Sequence, residues 1–122
     1  AIMLQVANRA RLMELIAQKT ESYQANSSEQ AFMVGMLSMA DAVIHSPLEE
    51  ILNDIGLSSS LKKAILEQTG AHGQLLKLVK DMELGNFDAT HYELNGLDIS
   101  AEDLLNIQVE CIEWSNQLSG TN

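Results

Sequence analysis

The stretch Ala31-Phe32-Met33-Val34-Gly35-Met36-Leu37-Ser38-Met39-Ala40-Asp41-Ala42-Val43-Ile44-His45-Ser46-Pro47-Leu48 decides how the rest of this chain is read. From Ala31 to Ala40 there is no charged residue, and apolar side chains fall on every side of a helical wheel. That pattern predicts a helix buried all round, with the other elements packed about it. Gly35 lies within it and would let a second helix approach closely. His45 falls at its C-terminal end, where a protonated imidazole complements the helix dipole. Ser46 at a cap, Pro47 at the first helical position and Glu49 three beyond the cap then form a capping-box arrangement that opens the next helix.

Working outward, Ile2 to about Lys19 carries Ile2, Val6, Met13, Ile16 and Ala17 with Arg9, Arg11 and Glu14 between them, which predicts an amphipathic helix. Glu21 to Asn26 breaks the period, and Ser27 or Ser28 is placed to cap the buried helix. Beyond Pro47, Leu48, Ile51, Leu52 and Ile55 give a short apolar stripe that Gly56 terminates, and Ser58 caps a helix through Leu61 and Ile65. Gly70-Ala71-His72-Gly73 reads as a flexible connector before Leu75, Leu76, Leu78, Val79 and Met82 at helical spacing, with Gly85-Asn86 as the stop. Phe87 to Leu94 reads as a short helix, Asn95-Gly96 as a turn, and Ser100 with Asp103 as the start of the last helix. There Leu104, Ile107, Cys111, Trp114 and Leu118 form one stripe, widened by Leu105, Val109 and Ile112.

The 122 residues are 46% hydrophobic and 4% aromatic, with few β-branched runs. This predicts one compact all-α domain or subdomain, about six or seven helices around a buried central helix. A single cysteine, Cys111, excludes an internal disulfide framework and fits a reducing compartment. No apolar run is long enough for a membrane span, so the chain reads as soluble and cytoplasmic. It opens on Ala1-Ile2-Met3-Leu4 already in helical pattern, as a piece of a longer protein would. The net charge is −10, and every Lys and Arg lies at or before Lys80. A surface of that sign repels phosphate backbones and anionic lipid, which argues against nucleic-acid and membrane partners.

Sites with chemistry of their own are hard to build from these residues. His45, His72 and His91 are far apart, and there is no His-Glu-x-x-His or Cys-x-x-Cys spacing, so neither a metal nor another cofactor is expected. His72 falls in a loop and His91 in a polar stretch on this reading. Cys111 lies on an apolar stripe and reads as a small core residue, and Trp114 as a core anchor or an interface hot spot. Met33, Met36 and Met39 fit core gaps between helices. The acidic residues from Asp88 onward lack the spacing of a calcium loop, and Gly70 to Gly73 lacks the Lys-Ser/Thr ending of a phosphate loop. No catalytic residue is assigned.

The run Arg9-Ala10-Arg11-Leu12-Met13-Glu14-Leu15-Ile16-Ala17, the stretch Ala31 to Leu52, Gly70 and Gly73, and Leu75 to Asp88 with its Glu83-Leu84-Gly85-Asn86-Phe87 ending together resemble the C-terminal half of an HDOD domain. The resemblance covers nearly the whole chain. It is to the HDOD domain that follows an EAL domain in bacterial cyclic di-GMP signalling proteins. Ala31-Phe32-x-x-Gly35-x-Leu37 resembles the segment that in HD-superfamily relatives runs into a metal-binding His-Asp pair. Ser38 and Met39 occupy those two positions here, and a hydroxyl and a thioether do not replace imidazole and carboxylate as ligands. The resemblance implies an HD-like, non-catalytic regulatory or protein-interaction module, with any cyclic dinucleotide hydrolysis in an EAL domain outside this chain.

Three classes of function stay open. The first is a regulatory interaction module whose partner is another protein or a neighbouring EAL domain. The second is an architectural subdomain for self-association as a homodimer, and the third an HD-type phosphohydrolase with an unusual site. On the first, the interface candidates are Arg9 and Arg11 of the first helix and Glu110, Glu113 and Trp114 of the last. Ala31, Phe32, Gly35, Leu37, Asp41, Ser46 and Pro47 are expected to define the fold.

Overall fold

In the computed structural model, which describes residues 2–20, 27–97 and 99–120, the described chain is all helix and turn with no strand. The elements are α1 (Ile2–Lys19), α2 (Ser27–Leu37), α3 (Ala40–Ile44), α4 (Leu48–Asp54), α5 (Ser59–Glu67), α6 (Gly70–Glu83), α7 (Phe87–Leu97) and α8 (Ala101–Ser119). The expected all-α domain is what the chain forms. The break expected over Glu21 to Asn26 lies outside the described residues; Ser27 and Ser28, the expected caps, are the first two residues of α2, and the Ser27 hydroxyl meets His72.

Helix α1 is rich in good helix formers and buries Val6, Ala10, Met13, Leu15, Ile16 and Ala17. It packs on α2, α8, α6 and α3, and its inner face meets the broad apolar face of α6, where Leu75, Leu76, Leu78 and Val79 are fully buried. These residues form the core with Val34, Leu52, Ile65, Leu94, Ile99, Leu104 and Ile107. The centre is therefore α1 against α6, not the uncharged segment. Helix α2 buries Ala31, Val34 and Gly35, leaves Phe32 and Leu37 half-buried, and exposes Met36. Apolar side chains are common on protein surfaces, so lack of charge permitted burial without requiring it on every side.

The uncharged segment is also not one helix. Ser38 donates its hydroxyl to the Gly35 carbonyl at 2.7 Å, and the Met39 amide reaches back to Met36, so the ladder tightens and breaks before α3. Asp41 to His45 are exposed, and Asp41 uses its carboxylate on the Ala42 amide rather than holding the core. His45 does end this segment, in the left-handed conformation at φ 63°.

Three further local expectations are corrected. Pro47, extended at ψ 135°, is itself the residue before α4, and no side chain caps that end; the capping box of Ser46 and Glu49 does not form. Gly70 to Gly73 is the first turn of α6, not a connector. The link from α5 is Gln68 and Thr69, with Gln68 left-handed, and it is so tight that a Cβ on Gly73 would lie 2.3 Å from the Gln68 carbonyl carbon. Asn95-Gly96 continues α7 rather than turning. By contrast, Gly56 ends α4's turn at positive φ, Ser58 caps α5 by accepting from the Leu61 amide, and Ser100 caps α8 by accepting from Asp103 at 3.0 Å. Among the described residues no helix is long and apolar enough to cross a membrane.

Candidate functional site

The interface candidates divide between two places. Arg9 is only 12% exposed and is part of the fold's own wiring. Its guanidinium forks onto the Glu83 carboxylate at the end of α6 and donates to the Ser38 hydroxyl at 2.9 Å. The two-pronged geometry suits a guanidinium and a carboxylate. One side chain thus ties α1, the α2–α3 break and the last turn of α6. Ser38 and Met39, the positions where the HD resemblance expects ligands, lie at that break, and the Ser38 oxygen is engaged by Arg9 and Gly35.

Arg11, Glu110 and Trp114 do come together, along one edge of the seam between α1 and α8. Arg11 pairs with Glu14 on its own helix, approaches Glu110 at 3.7 Å, and sits 5.6 Å from the centre of the half-buried Trp114 ring. That is within range for a cation–π contact. Under this edge the Cys111 thiol donates to the Asn8 carbonyl at 3.6 Å. Burial pushes that thiol up, the Arg11 charge only partly opposing it, so Cys111 is a packed residue as its stripe predicted. Glu113 is exposed and is not part of this group.

The widening of α8's apolar stripe does not enter the core. Leu104, Ile107 and Cys111 are buried, whereas Leu105, Val109, Ile112 and Leu118 are exposed. Ile112 borders a shallow groove of about 240 Å³ whose far wall is Asn8 and Leu12 of α1. The Asn8 side-chain oxygen there is buried and has no hydrogen-bond partner.

One polar cluster escaped the sequence reading. Lys77 of α6 pairs with Asp81 at 3.0 Å and reaches Glu93 of α7 at 3.7 Å, beside a groove lined by Gln74, Asp88, Tyr92 and Leu97. Desolvation, with Asp81 alongside, pushes the Glu93 carboxyl up to about 7. Asp81 is held below the usual carboxylate range by the Glu93 carboxyl beside it and by its hydrogen bond from Lys77. The Lys77–Asp81 spacing was visible on the helix, but Glu93 joins it only through the packing of α7 on α6.

The histidines remain apart. His72, in the first turn of α6 and not in a loop, has its Nε2 3.0 Å from the Ser27 hydroxyl, while His45 and His91 are exposed. Among the described residues no three His, Cys, Asp or Glu side chains are grouped so as to hold a metal ion.

No family model and no solved structure matches this chain. Two curated proteins do. Over 110 residues, 90% of the chain, it is 34% identical to the uncharacterized protein YuxH of Bacillus subtilis (strain 168), of which the match covers 26%. Over 111 residues, 91% of the chain, it is 29% identical to the cyclic di-GMP phosphodiesterase CdgJ of Vibrio cholerae serotype O1, covering 25% of that protein. The chain spans about a quarter of the length of the curated relatives it matches.

Proposed function

We propose that this chain is a non-catalytic regulatory helical module, HDOD-like, of a bacterial protein in cyclic di-GMP signalling, and that it acts through contacts with a neighbouring domain or a protein partner. The observation that carries this reading is the match of nine-tenths of the chain to only a quarter of a cyclic di-GMP phosphodiesterase, which leaves most of that protein to supply the chemistry. The Arg9–Glu83–Ser38 clasp supports it: at the position where the HD resemblance looks for ligands, the polar groups are spent on holding three helices together.

The test is hydrolysis and calorimetric binding of cyclic di-GMP, with and without divalent metal, by the chain alone and by the longer protein that contains it. Activity confined to the longer protein, and altered there when this chain is deleted from it, is the expected result. Stoichiometric binding or turnover by the chain alone overturns the reading.

A further inference from the structure

Resting on that reading, we infer that α8 is a docking surface for a cationic amphipathic helix. Leu105, Val109 and Ile112 are 60%, 47% and 61% exposed and spaced at i, i+4 and i+7, so they form one straight apolar strip along the outer side of α8. A strip of this shape accepts the apolar face of a second helix, read through anchors at the same spacing.

The two borders of the strip decide the partner's chemistry. One is a carboxylate ridge, since 100° per residue places Glu102 and Glu113 beside the strip with Glu110 behind them. Arg11 already serves Glu14, Glu110 and Trp114. Neither Glu102 nor Glu113 has a cation within ion-pair distance among the described residues, and no Lys or Arg follows Lys80. The other border is the neutral groove beside Ile112. A helix with lysine or arginine along the edges of its apolar face answers the carboxylates. A second copy of this chain, at −10, brings like charge to the same ridge and is disfavoured.

The experiment uses two designed helical peptides with the same leucine stripe, one edged with lysine and the other with glutamate. Binding to the intact chain is followed by fluorescence anisotropy at low and high salt. The lysine-edged peptide is expected to bind at least ~10-fold tighter than its acidic twin and to weaken with salt. Val109→Lys should abolish that binding and Glu113→Lys should weaken it several-fold, with melting temperatures confirming that both variants fold; Leu105→Gln repeats the first test at a second exposed position. Equal affinity for both peptides, no binding of either, or indifference to Val109→Lys overturns the proposal, as does a sedimenting dimer that Val109→Lys dissolves. In the longer protein, a regulatory effect of the chain that survives Val109→Lys overturns the docking chemistry alone. Loss of any regulatory effect with peptide binding intact overturns the functional reading alone.

Discussion

The place where a Cβ on Gly35 would stand is 2.8 Å from the Cα of Ala10 and 3.1 Å from its amide nitrogen. Helices α1 and α2 meet backbone to backbone there, and neither contact can move as a side-chain end would. Gly35→Ala gains roughly 1 kcal/mol of helix propensity. The collision outweighs this, and a net loss of ~1–2 kcal/mol is expected, with Gly35→Leu losing ~3 kcal/mol. Urea denaturation midpoints of the three proteins check the order.

Removing one end of the Arg9–Glu83 pair leaves a largely buried guanidinium, or a more exposed carboxylate, short of its partner. Arg9→Ala, which also removes the donor to the Ser38 oxygen while the Ser38 hydroxyl keeps its bond to the Gly35 carbonyl, is expected to cost ~1–2 kcal/mol, and Glu83→Gln about 1 kcal/mol or less. A double-mutant cycle on these positions should return a coupling near 1 kcal/mol. A coupling of zero would show the pair to be incidental.

Glu93 gives the fold a pH dependence of definite sign. Its folded carboxyl titrates at about 7 against an ordinary value of 4.5, so the folded state keeps a proton that the unfolded state gives up. The stabilising contribution is complete below about pH 4.5 and is lost as the pH rises through 7. Asp81 works oppositely, its contribution being lost as acid reaches its lowered range. Glu93→Gln, which cannot ionise, is therefore expected to stabilise the chain by ~1–2 kcal/mol at pH 8 and to be nearly neutral at pH 4.5. Chemical denaturation at both values checks it.

Cys111 is expected to react slowly. Buried under the Arg11 edge with its thiol pushed up, it presents little thiolate at neutral pH. Thiol labelling with a chromogenic disulfide should be at least ~10-fold slower in the folded chain than in urea, since both access and thiolate fraction are reduced.

How far the sequence could be read follows from what each signal reports. Period, caps and glycines are local, and they located α1, α4, α5, α6 and α8 and the close approach at Gly35. The absence of charge in Ala31 to Ala40 reported only that burial was permitted. Which helix took the centre was settled by α6, whose four fully buried residues claim the inner face of α1. The Ser46 box failed because the extended Pro47 became the boundary residue itself. At the site, Arg9 and Arg11 were grouped as one surface, yet two residues apart on a helix is about 200° of rotation, and they point to different helices. The partners that separate them, Glu83 and Glu110, are far away in sequence. The same distance hid Glu93, and the stripe on α8 was read as wider than α1 could cover.

Because the principal neighbour of α8 is α1, while α1 is held independently by α2 and α6, the eighth helix is a separable element of this fold. Sub-global opening that lifts it away leaves the α1, α2 and α6 scaffold standing. Anything gripping the outer side of α8 therefore suppresses that opening, and the occupancy of one surface strip becomes a setting of the domain's local cooperativity.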